Sequence, residues 1–177
     1  MLAATLGASY GVYGPAFELC ENRARSFGSE EYLDSEKYQI RDWDLKAGHS
    51  LRPLITRVNR IRRENRALQR NDTLRFHPTD NEHVICYSKT HDAPYNAVLC
   101  VVNLDPYHTH STWIDLKLEE LALKPDETYQ VHDLLSDARF FWSGTRNYIE
   151  LDPHALPGHI FRLRRHVRTE RDFAYYM

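Results

Sequence analysis

The chain has little of what makes proteins flexible, cross-linked or membrane-bound. Among 177 residues there are 3 cysteines, 7 glycines and 8 prolines. That scarcity, beside 42% apolar residues, excludes collagen-like repeats and wholesale disorder. Cys20, Cys86 and Cys100 are odd in number and lack C-x-x-C spacing, so they read as small apolar residues in a reducing, cytoplasmic setting. No run of about 18 apolar residues is present, and no helix is expected to span a bilayer. Residues 1–14 show neither a basic n-region nor an apolar h-region, so secretion is not signalled. Charge of one sign is missing too: the net charge of −2 gives no field to recruit nucleic acid or an anionic membrane.

What is present falls into three zones. The first opens with a short helix-compatible stretch ending near Gly7, then a near-continuous apolar run, Tyr10-Gly-Val-Tyr-Gly-Pro-Ala-Phe. Without polar alternation, that run predicts a strand over residues 10–19 covered on both faces, as in a parallel sheet. A polar stretch over residues 21–44 follows, with six acidic residues between Glu30 and Asp44 against Lys37 and Arg41. Loops of this length are functional or disordered.

The second zone predicts an amphipathic helix. Ser50 suits the N-cap, and Pro53 falls in the first turn, where its missing N–H costs little. Leu51, Leu54, Ile55, Val58, Ile61 and Leu68 recur at three- and four-residue steps and form one apolar stripe. Arg57, Arg60, Arg63 and Arg70 take the opposite face, and Asn71-Asp72 supplies a polar stop.

From Thr73 the period changes. Strands are predicted over 74–77, 83–89, 97–103, 112–116, 128–132, 148–151 and 160–164, separated by turn-forming pieces such as Lys124-Pro-Asp and Leu156-Pro-Gly. Short strands at this spacing indicate an antiparallel β-sandwich, with the wholly apolar Ala97-Val-Leu-Cys-Val-Val as its central strand. One βα unit cannot close a sheet alone. The chain therefore reads as the tail of something larger, with residues 1–49 displaced, disordered or packed on a second copy while 73–165 fold independently.

Five stretches carry a resemblance. Tyr10-Gly-Val-Tyr-Gly-Pro-Ala-Phe-Glu-Leu followed by Gly28-Ser-Glu-Glu-Tyr-Leu-Asp-Ser-Glu-Lys-Tyr resembles the α-1,4-glucan:maltose-1-phosphate maltosyltransferases, members of the α-amylase superfamily of (β/α)8-barrel enzymes. Asn59-Arg-Ile-Arg-Arg-Glu-Asn-Arg-Ala-Leu is similar to the last barrel helix of that superfamily. Val98-Leu-Cys-Val-Val-Asn-Leu-Asp-Pro and Tyr129-Gln-Val-His-Asp-Leu-Leu resemble its C-terminal sandwich. The resemblance implies a mainly β chain, an antiparallel β-sandwich preceded by the last strand-loop-helix unit of a barrel. Residues 1–71 would be the incomplete barrel unit, 72–166 the sandwich and 167–177 a tail. It implies a parent that moves maltosyl from maltose 1-phosphate to the non-reducing end of an α-1,4-glucan with retention, through two carboxyl groups about 5–5.5 Å apart. Those carboxylates follow earlier barrel strands, so no catalytic residue is assigned in this chain. Lys37 and Tyr38 match the Lys-Tyr pair that contacts the donor's maltosyl unit: an ammonium offers three donors to sugar hydroxyls, and a phenol a flat face with a polar tip. No cofactor is implied. A homo-oligomer through the exposed barrel remnant is the partner such a fragment would seek.

Other patterns compete. Glu18 ends the apolar run and reads as a carboxylate held by a neighbouring loop. The remaining acids of residues 21–44 read as a solvated surface. His108-Thr-His110 has strand-face spacing but no third ligand, so no metal is assigned. The arginine-rich helix carries no aromatic partners for nucleic acid. Trp43, Trp113, Trp142 and Tyr148 offer either core filling or a glucan platform. A stand-alone carbohydrate-binding or interaction module is thus one alternative; another superfamily enzyme, such as a trehalose synthase or a glucan hydrolase, is the other.

Overall fold

The computed structural model of the chain describes residues 1–37, 40–92 and 95–165. Three helices, α1 (Leu2–Leu6), α2 (Gly14–Glu18) and α3 (Arg52–Glu64), precede eight strands. These are β1 (Arg75–His77), β2 (Val84–Asp92), β3 (Tyr95–Asn103), β4 (His110–Asp115), β5 (Thr128–Asp133), β6 (Arg139–Ser143), β7 (Arg146–Leu151) and β8 (Gly158–Arg165). A six-stranded sheet runs β1-β2-β3-β8-β5-β6, and β4-β7 form a second, two-stranded sheet. Every strand pair is antiparallel. The mainly β, antiparallel expectation holds, and the apolar 97–102 run lies inside the sheet between β2 and β8.

Both faces of the large sheet are covered, which explains why β3 shows no polar alternation. Leu99 and Val101 of β3, Cys86 of β2 and Phe161 of β8 pack with Ile114, Ile149 and Leu151 of the small sheet. Val98, Cys100, Tyr87 and Ile160 point the other way, against Ala4 of α1, Val58 and Ile61 of α3, and Ala67 and Leu68 of a following 3-10 turn. The small sheet has one wet face, so it alternates cleanly: Thr112, Ile114, Ile149 and Leu151 are buried, Trp113 and Tyr148 exposed.

Residues 1–10 are stitched to this outer layer, not displaced from it. Lys89 Nζ, on a residue 1% exposed, donates to Leu6 O at 2.7 Å. Thr5 Oγ1 and Tyr87 OH share a 2.5 Å hydrogen bond. Arg62 of α3 donates to the carbonyls of Ala4, Gly7 and Ala8.

The strand predicted over residues 10–19 does not form. Pro15 occupies the first turn of α2, whose end is closed by a left-handed Cys20 (φ 55). Cys20 N–H donates to Phe17 O at 3.2 Å and Glu21 N–H to Ala16 O at 2.9 Å, the paired bonds of a Schellman stop. A strand also needs a neighbour to take its backbone bonds, and no strand among the described residues pairs with this run. The helix prediction needs a smaller correction. Leu51 is the N-cap of α3, while Ser50 Oγ accepts the Arg52 N–H at 3.2 Å. α3 also stops at Asn65, six residues before Asn71, where Asn65 Nδ2 turns back to Ile61 O at 2.8 Å. The edge strand β6 carries no sequence signal, because its burial does not alternate. The predicted tail, 167–177, lies outside the described residues.

Candidate functional site

The loop between α2 and α3 is held by its own side chains. Residues 23–33 fold back on themselves through Leu33 N–H to Arg23 O (2.7 Å) and Arg25 N–H to Glu31 O (2.9 Å). Gly28, at φ +75, makes the tip, a conformation that costs glycine nothing. Arg41 closes the loop from its far end. Its guanidinium bonds the Glu21 carboxylate, donates to Leu33 O at 3.1 Å, and lies 4.1 Å from the centre of the Trp43 ring. The Arg41 hydrogen bond, helped by Arg23 N–H, holds the Glu21 carboxyl below the usual carboxylate range.

This closure fixes where Lys37 sits. Asp34 (φ 54) and Glu36 (φ 64) are both left-handed, so the backbone reverses twice just before it. Glu36 Oε1 accepts the Trp43 indole N–H at 3.0 Å, pinning the residue that precedes Lys37. Lys37 is exposed. Its predicted companion Tyr38 lies outside the described residues. Ser35 Oγ donates to Glu31 Oε1 at 2.8 Å, which with Arg25 lowers the Glu31 pKa. Glu21, Glu31, Glu36 and Asp44 thus each spend a carboxylate oxygen on the loop's own architecture. Arg41, Glu21 and Trp43 are the positioning residues that sequence reasoning missed; Glu21 and Arg41 lie 20 positions apart, and only the fold brings them together.

In and beside the loop several large apolar side chains stay exposed. Tyr13, Phe17, Leu45 and Leu54 are exposed, and Phe27 and Ile40 project fully into solvent. Tyr13 touches Tyr32 edge-on at 6.2 Å, which ties the start of α2 to the loop. Phe17 and Leu54 line one shared apolar hollow with Tyr10 and Leu51, the kind of exposed apolar surface that marks a contact site.

The other candidates settle separately. Glu18 accepts a hydrogen bond from Ser50 Oγ at 3.0 Å, joining the end of α2 to the start of α3. His108 and His110 both turn to Asp105 Oδ2, at 2.8 and 3.1 Å, and no metal-binding cluster occurs among the described residues. Of the four aromatic candidates, Trp142 packs against the core, Trp43 serves the loop, and Trp113 and Tyr148 meet as a cross-strand pair 5.5 Å apart. Arg57 spends its side chain on Leu134 O at 2.7 Å instead of facing solvent. No helix among the described residues is long and apolar enough to cross a membrane.

The sandwich with its helical outer layer has the fold seen in α-amylases. The α-amylase of Geobacillus thermoleovorans superposes with a TM-score of 0.55 at 13% identity, over 80% of this chain and 29% of that one. Sequence narrows the class. Residues 76–163 match the family model described as "GLGE, C-terminal". The chain is 44% identical over 163 residues to the α-1,4-glucan:maltose-1-phosphate maltosyltransferase of Methylacidiphilum infernorum, covering 92% of this chain and 24% of the relative. It is 48% identical over 164 residues to maltosyltransferase 1 of Streptomyces coelicolor, covering 90% and 24% respectively. The chain belongs to the maltosyltransferase family as its C-terminal portion, and it spans about a quarter of the length of these relatives.

Proposed function

We propose that the chain works as the C-terminal part of a retaining maltosyltransferase and lends its active site one substrate-gripping loop. Residues 1–71 then form the seam with the rest of the enzyme, 72–166 the sandwich that anchors the seam, and 167–177 a tail. Maltosyl would pass from maltose 1-phosphate to a carboxylate on the remaining part of the enzyme, and from there to the 4-hydroxyl of an α-1,4-glucan. Lys37 and Tyr38 would hold the maltosyl unit in place during both transfers. The carboxylates that make and break the glycosidic bond lie elsewhere, so this chain alone is catalytically incomplete. The setting is cytoplasmic, and in isolation the apolar face over Tyr13, Phe17 and Leu54 pairs two copies.

The observation that supports this reading is the pinning of Glu36 by Trp43 and of the loop by Arg41, directly ahead of the exposed Lys37. Preorganised sugar contacts of this sort spare the ordering cost of binding. The test is Lys37→Ala in a full-length maltosyltransferase carrying this segment. One lost hydrogen bond to a sugar hydroxyl is worth about 1 kcal/mol, so KM for maltose 1-phosphate rises about five- to tenfold. An unchanged KM rejects the donor contact.

One observation favours a second reading. Trp113 and Tyr148 form an exposed aromatic pair on the outer face of the small sheet, with the Arg146 guanidinium 5.6 Å from the Trp113 ring centre. A glucan could lie on that pair. Saturable quenching of tryptophan fluorescence by maltoheptaose, abolished in Trp113→Ala, supports it; no response leaves the pair a surface contact.

A further inference from the structure

A cavity of about 340 Å³ opens where the C-terminal end of α3 meets β8 and the start of β3. Four arginines line it: Arg63 and Arg66 from the helical layer, Arg162 and Arg164 from β8. Arginines elsewhere in the chain are mostly spent. Arg60 pairs with Glu64, Arg70 with Asp72, Arg146 with Asp80, and Arg62 and Arg57 bond backbone carbonyls. The four around the cavity have neither an ion pair nor a side-chain hydrogen bond among the described residues. Arg162 Nε is buried and without an acceptor, and buried polar groups ordinarily find partners.

Structural roles do not use up this charge. Arg63 sits in the last turn of α3, where the helix dipole favours a cation, but that term accounts for about half a charge. Glu64 is the one acid lining the cavity; it pairs with Arg60 at 2.8 Å and also attracts Arg162, a single negative charge against four guanidiniums. Arg162 and Arg164 stand two apart on one strand, so their side chains share a face and repel. Burial, with Arg164 beside it, holds the Arg162 pKa below its ordinary value. A fold that gathers four unpaired guanidiniums around one hollow leaves a place for negative charge.

We propose that this cavity binds a small anion bearing a phosphoryl group. Guanidinium forks match phosphoryl oxygens two at a time, and four forks exceed what a carboxylate's two oxygens can engage. The volume lies at the lower end of small-molecule pockets, which suits a sugar phosphate or a diphosphate and not a polymer. Tyr95, about half exposed at the rim, supplies one flat wall for the non-phosphate part of an ester. The site is remote from the Lys37 loop in fold terms, since it is built from β8, β3 and the opposite end of α3.

The test is isothermal titration calorimetry of the 177-residue chain with sodium pyrophosphate, inorganic phosphate, glucose 1-phosphate and sulfate at one fixed ionic strength. Saturable one-to-one binding of pyrophosphate or glucose 1-phosphate is expected, and the tighter of the two tells a diphosphate from a phosphate ester. Arg63→Gln and Arg66→Gln, both on exposed helical positions, weaken it about tenfold each; Arg164→Gln does the same should either helical variant lose its far-ultraviolet signature. Arg75→Gln, on the edge strand β1 where Arg75 faces Glu120 at 3.8 Å, leaves affinity unchanged. Heats of dilution alone up to about 10 mM phosphoryl ligand overturn the proposal. So do equal binding of sulfate, or an equal loss in Arg75→Gln, which would mean that net charge and not this cavity is being read.

Discussion

Replacing Leu68 with alanine probes how the helical layer is held to the sandwich. Leu68 is fully buried in the outer core with Val58, Ile61, Tyr87 and Val98. Leucine-to-alanine changes at such sites cost about 2–5 kcal/mol, because the vacated volume collapses only in part. Taking about 3 kcal/mol, and about 2–4 °C of melting temperature per kcal/mol for a chain of this size, the midpoint falls by about 6–12 °C. Leu54→Ala is the matched control. The sequence places Leu54 on the same stripe, yet it is 44% exposed, and its loss changes stability by no more than about 0.5 kcal/mol. Thermal melts followed by circular dichroism and by tryptophan fluorescence report both variants, and coincident transitions confirm that one unit unfolds. A Leu68→Ala midpoint within about 2 °C of the parent, or a larger effect at Leu54, would refute the packing of α3 and its 3-10 turn on the sheet.

Arg41→Ala frees the loop from Glu21, Leu33 and Trp43 at once, so hydrogen exchange at the Arg25 and Leu33 amides accelerates while the β3 amides keep their protection. Gly158→Ala destabilises by about 1–3 kcal/mol in urea titration, because its new Cβ would lie 2.7 Å from the Val101 carbonyl oxygen. Asp133 is fully buried. Burial alone would raise its pKa, but hydrogen bonds from His159 and Ser136 outweigh that and lower it from 3.8. Its stabilisation is therefore complete above the unfolded value and is lost as pH falls through the folded one. Asp133→Asn should lower the melting temperature at pH 7, with the gap to the parent closing below about pH 4.

The β-sandwich was legible because its strands are short, apolar and punctuated by proline and aspartate turns, and β3 announced its burial by being apolar on both faces. The covering of the second face was not legible. Helix periodicity marked Val58 and Ile61 as buried without saying against what, and it placed Arg57 and Leu54 by angle alone, whereas Leu134 O and the open surface decide their fates. Residues 10–19 misled because an apolar run specifies burial and not period, and Gly14-Pro15 turns it into a helix. At the loop, Lys37 and Tyr38 were named through the family resemblance alone, and the clasp that closes the loop ahead of Lys37 depends on Glu21 meeting Arg41 across 20 residues. No local pattern encodes a contact of that separation.

The most direct measurement is a transfer assay on the purified 177-residue chain: maltose 1-phosphate with maltohexaose, followed for phosphate release and for chains lengthened by two glucose units. The account predicts neither product, and activity that appears only when the remaining part of a maltosyltransferase is supplied. Phosphate and lengthened glucan from the chain by itself would show that it already holds a complete set of reacting groups.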